Sequence, residues 1–248
     1  MPINIIKNTF DYCSENKLFF IFVLCLLFGL QFVFGFFVFG AWGSVIMNVI
    51  LMGYGLQISQ DIIHGGTRLP KLLPKKIIIY GVKGTVIVGF YVLVQIILLN
   101  VVSLYLNFPI FNIEDVILEF NKYFYLFLAH DPVSCIVFVV LGLIIVYVTT
   151  FFMELALARL ADGGRLLNAF NFPRIKHAID VIGWRDYARS YTRIILSIVF
   201  LTFLMDYQIP VFLVDCIVDA ILSFLIFIIE FVGIGTVYKV YKINNLNN

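Results

Sequence analysis

Charge is what this chain has least of. Asp, Glu, Lys and Arg make up 13% of its 248 residues, against 62% apolar types. Soluble domains carry about a quarter charged residues, because a water-facing surface must be covered. A single water-soluble core is therefore excluded, and the mean hydropathy of +1.03 points to helices dissolved in hydrocarbon. Catalytic patterns are missing as well. There is no P-loop, no HExxH and no Ser-His-Asp constellation, and His64, His130 and His177 are scattered. The four cysteines, Cys13, Cys25, Cys135 and Cys216, show neither CxxC nor metal-ligand spacing. Cys135 and Cys216 would lie near the same face, bridged or as soft apolar packing. These gaps predict a protein that is not an enzyme, with no cofactor, no metal and no nucleic-acid partner.

What is present is a series of apolar runs. The pattern predicts an all-α, polytopic helical membrane protein of about six transmembrane helices, at about 18–39, 44–63, 77–105, 133–160, 187–205 and 211–238. Each is long enough to cross ~30 Å of hydrocarbon at ~1.5 Å per residue. The start carries Asp11 and Glu15, and its apolar run is too long for a signal peptide, so it reads as a retained span. Three amphipathic stretches read as interfacial helices. The first is 1–17, with Ile3, Ile6, Phe10 and Cys13 at helical spacing. The second, 107–131, has an apolar face of Ile113, Val116, Ile117, Phe120, Phe124 and Phe127. The third, basic, sets Ile175, Ala178, Ile179 and Ile182 against Arg174, Lys176, His177 and Asp180. Counting the two longer ones as inserted would make eight spans. The second span is unusually polar and small, with Asn48, Gly53, Gly55, Gln57 and Ser59, which predicts that it faces other helices.

Two elbows punctuate the chain. One runs from Gln57 through Asp61 and His64 to Gly65-Gly66, Arg68 and Pro70. The other runs from Glu154 through Asp162 to Gly163-Gly164 and Arg165. A glycine just past a helix end takes the left-handed conformation, and a later proline stops the helix. The likeness predicts a weak two-half repeat within one membrane domain, 1–248, with halves at about 1–105 and 112–240. With six spans and both termini inside, Lys122 alone falls outside, leaving 16 of the 17 Lys and Arg on one side. By the positive-inside rule this predicts the cell membrane, with the N and C termini and both elbows cytoplasmic.

Gly53-Tyr54, Leu69-Pro70, Gly81 and the later Ala169-Phe170 carry a family resemblance. A span with GY, a short basic linker, LP, a glycine and another span resembles an archaeal family of uncharacterised membrane proteins, domain of unknown function 4013. The resemblance covers roughly residues 18–238. It implies a helical membrane fold and no established activity. One departure is Lys71-Leu-Leu-Pro-Lys-Lys76, where the family leads one to expect acidic or aromatic residues. The abundance of Ile, Asn, Lys and Phe fits an AT-rich genome.

Two constellations are candidates for function. Gly65, Gly66, Arg68, Lys71, Gly163, Gly164, Arg165, Arg174 and Lys176 would converge at one leaflet. There each cation attracts an anionic headgroup by ~1 kcal/mol, and glycine amides can approach a phosphate. The plain alternative is charge that only sets topology. Lipids, a protein partner or a second copy of the chain are the expected partners. The second set, Glu154, Asp215, Asp219 and Glu230, lies within spans, where a charge costs ~2.5–3.5 kcal/mol on insertion scales. Asp215 and Asp219 are four apart on one face and suit a small permease-like transporter. The alternatives are hydration near the outer interface for the aspartates, and ion pairs with Arg159, Arg189 or Arg193 for the glutamates.

Overall fold

A computed structural model describes residues 5–15, 21–22, 41–106, 131–163, 165–205 and 212–246. Eight helices form among them: α1 (Ile5–Ser14), α2 (Ala41–Ile63), α3 (Pro74–Tyr105), α4 (Pro132–Ala161), α5 (Leu166–Ala169), α6 (Phe172–Ile182), α7 (Trp184–Met205) and α8 (Phe212–Leu246). No strand occurs among the described residues. Four segments are long and apolar enough to cross a membrane: Pro74–Tyr105, Pro132–Ala161, Trp184–Met205 and Ile217–Asn245. The chain is thus all-helical and compatible with a multi-pass membrane protein. The first expected span and the amphipathic segment 107–131 fall largely outside the described residues.

The chain forms two compact units, Met1–Ile87 with Glu154–Asn248, and Val88–Met153. In the first, α8 is the common neighbour, packing on α2, α7, α1 and α6. The approach of α2 to α8 is close because small residues permit it. A Cβ on Gly55 would overlap the Phe231 ring, and one on Gly235 would lie 3.0 Å from the Ser59 Cα. Ser59 Oγ donates to the Phe231 carbonyl at 2.7 Å, satisfying a fully buried hydroxyl. Tyr54 stacks on Phe227 at 6.4 Å between ring centroids. From Gly53 to Ser59 every residue of α2 is buried, as its polar and small composition led one to expect, whereas Asn48 is exposed.

The end of α4 in this unit, Glu154–Ala161, is buried except for the half-buried Arg159. Ala156, Ala158 and Ala161 are inaccessible, which explains the alanines there: neighbours close in on every side. Helix α6 corrects an expectation. It starts at Asn171, whose side chain accepts from the Arg174 amide at 3.2 Å, with Pro173 in the first turn. It stops at Gly183, φ 95°. Its apolar face, Ile175, Ala178, Ile179 and Ile182, is buried, and the helix packs on α8 and α7. That face is covered by protein and is not laid on lipid. Helix α1 likewise docks on α8 and α7, burying Thr9 and Tyr12.

In the second unit, Gln95 Nε2 donates to Thr149 Oγ1 at 2.6 Å. Cys135, a free thiol, is buried against Phe138, with Val102 and Leu106 around them. The Cys216 side chain lies outside the described residues.

Candidate functional site

The first elbow is a helix C-terminus closed by its own backbone. Gly66 N–H donates to the Asp61 carbonyl at 2.8 Å and Gly65 N–H to the Ile62 carbonyl at 3.0 Å. This is the Schellman pair, and it requires the positive φ of 90° seen at Gly65. Nothing lies within 4 Å of a Cβ placed there, so Gly65 is glycine for its dihedral alone. Gly66 is glycine for space, because a Cβ would overlap the Asp61 carboxylate. The second elbow repeats the geometry. Gly163 has φ 89° and its N–H donates to the Leu160 carbonyl at 3.2 Å. Gly164 lies outside the described residues. The amides of Gly65, Gly66 and Gly163 all point back into helix ends, so the approach to an anion falls to side chains.

The two elbows meet. Asp162 Oδ1 receives Lys242 Nζ at 2.6 Å and lies 3.6 Å from His64 Nε2. His64 Nδ1 is 2.7 Å from the Gln60 carbonyl; a carbonyl only accepts, so Nδ1 carries a proton, and Nε2 pairs with Asp162 only when it carries one as well. The Asp162 carboxylate thus joins the ends of α4 and α8, and His64 brings the end of α2 beside it. Nearby, Tyr12 Oη donates to Asp61 Oδ2 at 2.9 Å, and Thr67 to Glu15 at 3.4 Å. Burial, and then Asp61 itself, raise the Tyr12 phenol well above its ordinary range, so it stays a donor. Arg68, Lys71, Arg165, Arg174 and Lys176 are exposed. No group of His, Cys, Asp or Glu able to hold a metal occurs among the described residues.

The linker after the first elbow is fastened to α2. Tyr54 Oη donates to the Pro70 carbonyl at 3.4 Å and Gln57 Nε2 to the Leu73 carbonyl at 3.5 Å, while Leu69 is buried. Gly53 and Gly81 then let α2 and α3 touch backbone to backbone. A Cβ on Gly53 would overlap the Ile77 carbonyl oxygen and lie 2.9 Å from the Gly81 nitrogen. A Cβ on Gly81 would overlap the Val49 carbonyl oxygen. The sequence profile of a family described as "Protein of unknown function (DUF4013)" matches residues 37–207. The chain belongs to that family. Neither a curated protein nor a solved structure matches it.

The DUF4013 match is narrower than 18–238, and it leaves out α1 and α8. Tyr12 and Lys242, which anchor the two elbows, therefore come from outside the matched stretch. Within it, GY, LP and the later glycine form one helix-hairpin fastening, and Ala169 is buried where α5 ends. Gly53, Tyr54, Leu69, Pro70 and Gly81 thus serve to close one helix hairpin.

Of the acidic residues within spans, Glu154 and Glu230 come close to each other. Glu154 is buried near Glu230, and its Oε2 has no hydrogen-bond partner. Neither glutamate forms an ion pair among the described residues. Arg189 instead pairs with Asp186 at 3.6 Å, and Arg159 leaves Nη1 buried without a partner. Asp219 is half-buried in α8, and the side chain of Asp215 lies outside the described residues.

Proposed function

We propose that this is a non-enzymatic integral membrane protein of six spans in the cell membrane, with both termini cytoplasmic. Its joined elbows bind anionic lipid headgroups and present a surface to a protein partner or a second copy of the chain. The abundance of Ile, Asn, Lys and Phe fits the AT-rich genome of an archaeal source. The observation that carries this reading is the Asp162 junction with Lys242 and His64. It lies at the ends of α2 and α4, which lead into the segments bearing Arg68, Lys71 and Arg165, while α6 with Arg174 and Lys176 packs on the same α8. Cations gathered at one leaflet attract anionic headgroups by ~1 kcal/mol each. The two-half repeat is supported by the matching φ of Gly65 and Gly163.

The test is co-flotation of the purified protein with phosphatidylglycerol or phosphatidylcholine vesicles, and native mass spectrometry of the lipid retained. Replacing Arg68, Arg165, Arg174 and Lys176 together by alanine is expected to remove most of the preference for the anionic lipid. Equal retention of both lipids by the unaltered protein contradicts the reading. A transporter reading, with Asp215 and Asp219 at an intramembrane site, draws on the half-buried Asp219. It requires a cation flux in proteoliposomes that Asp219→Asn abolishes.

A further inference from the structure

The two residues through which the elbows face each other hold equivalent positions. His64 immediately precedes Gly65, and Asp162 immediately precedes Gly163, the glycines at φ 90° and 89°. Each backbone is fixed by its helix end. The His64 N–H donates to the Gln60 carbonyl at 3.1 Å, and the Asp162 N–H to the Ala158 carbonyl at 3.0 Å. The His64 ring is fixed as well, because Nδ1 donates to the Gln60 carbonyl at 2.7 Å. That leaves Nε2, 3.6 Å from Asp162 Oδ1. A neutral imidazole has one N–H. With Nδ1 engaged, its Nε2 presents a lone pair to a carboxylate, which also only accepts. The imidazolium has two N–H groups and serves both acceptors at once. One proton therefore turns acceptor facing acceptor into an ion pair between the elbows.

Both residues sit at a helix C-terminus, where the dipole suits a cation and not a carboxylate. Asp162 is therefore placed for its partners and not for its own helix. Lys242 Nζ of α8 meets the same oxygen at 2.6 Å, so the carboxylate keeps a cation beside it when the ring is neutral. The other charged groups around His64 are Lys71 and Lys76, which share a groove with it on the side of the linker and α3, and Asp61 in its own helix. The Asp61 carboxylate takes the Tyr12 hydroxyl from α1. Among the described residues the His64 ring forms an ion pair with Asp162 alone.

We infer that His64 and Asp162 form a pH-operated latch between the two elbows. Histidine is the side chain that gains its charge between about pH 8 and 5. The latched state binds that proton more tightly than the parted one. Acidification therefore closes the elbows, and a rise through the histidine range releases them. Lys242 stays on Asp162 throughout, so the part released is the end of α2 and not the end of α8. The latch needs no lipid, so it stands or falls apart from the headgroup reading.

The experiment follows amide hydrogen exchange of the full chain in neutral detergent at about pH 8 and about pH 5.5, as protection relative to the intrinsic rate at each pH. The His64 side chain is 52% exposed and that of Asp162 22%, so the gain is that of a partly exposed pair. Protection of amides 62–66 is expected to rise about three- to fivefold on acidification. His64→Gln never charges and is expected to lose the rise. Asp162→Asn leaves the histidine to titrate but removes its partner's charge, and is expected to lose the rise too. A rise that persists in Asp162→Asn belongs to the charge of the histidine alone and overturns the latch. Equal protection at the two pH values in the unaltered chain overturns it as well. Lys242→Met leaves both members in place, so the rise at 62–66 is expected to remain; its loss there overturns the assignment to His64 and Asp162. Nitrogen NMR of the His64 ring, identified by its absence in His64→Gln, gives a check that does not depend on the folding of Asp162→Asn. At about pH 8 the ring should carry its one proton on Nδ1. A neutral ring protonated on Nε2 overturns the latch.

Discussion

The sharpest mechanical test lies at Gly53. An alanine there would set its Cβ 2.7 Å from the Ile77 carbonyl carbon and 2.9 Å from the Gly81 nitrogen, where ordinary contact begins at 3.4 Å. The shortfall against the carbon is 0.7 Å, and it is larger against the carbonyl oxygen. All three atoms are backbone of α3, so no side chain can swing away. The helices must part, which also loosens the Tyr54 contact to Pro70 one residue on. Overpacking of this kind costs about 1–3 kcal/mol, and Gly53→Ala belongs at the upper end. The assay is the midpoint of unfolding in mixed micelles as the fraction of denaturing detergent rises. Gly89→Ala is the internal control, because nothing lies within 4 Å of its added methyl. Relief of the glycine penalty makes that variant neutral or stabilised by up to about 1 kcal/mol. A midpoint for Gly53→Ala equal to that of the unaltered chain would refute the close-packed hairpin.

Three further outcomes follow from the contacts. Tyr12→Phe deletes the hydrogen bond to Asp61, worth about 1.5–3 kcal/mol for a charged acceptor; amide exchange over α1 should accelerate, and unchanged exchange rejects the anchor. Asp162→Asn weakens a partly exposed junction and should cost about 1 kcal/mol or less globally. Its clearest sign is faster exchange at 240–246; the absence of that sign means Lys242 is held by something else. Burial pushes the half-buried Cys13 thiol up to about 12. Its thiolate fraction at pH 8 is then about 10⁻⁴, so alkylation read by mass spectrometry should run about a thousandfold slower than for an ordinary cysteine and speed up tenfold per pH unit. Alkylation as fast as that of a small free thiol contradicts its burial.

Period and punctuation in the sequence carried much of this. The α6 face of Ile175, Ala178, Ile179 and Ile182 is visible as a helical stripe, because every residue on it obeys one spacing. The same stripe cannot say what covers it: lipid and protein both accept an apolar face, and α8 is what lies there. The glycines after α2 and α4 are legible as helix ends, since only glycine enters the left-handed region without strain. Their amides were expected to approach a phosphate, and the Schellman bonds take those of Gly65 and Gly66 inward. Tyr12 with Asp61 and Asp162 with Lys242 are separated by 49 and 80 residues. No local pattern relates such positions, so neither pair shows in one sequence. The expected ion pairs of Glu154 and Glu230 failed for the same reason, since proximity in depth along a span is not proximity around it. A polar residue such as Gln57 within a span signals a neighbouring helix, and only the contacts show that half of its amide is left over.

The central claim is that the two elbows share one face. It is tested by single cysteines at Arg68 and Arg165, in a chain whose own four cysteines are replaced by alanine, labelled with a membrane-impermeant maleimide in intact cells and in inverted vesicles. Both positions should be protected in intact cells and labelled in inverted vesicles. Labelling from opposite sides would contradict the account.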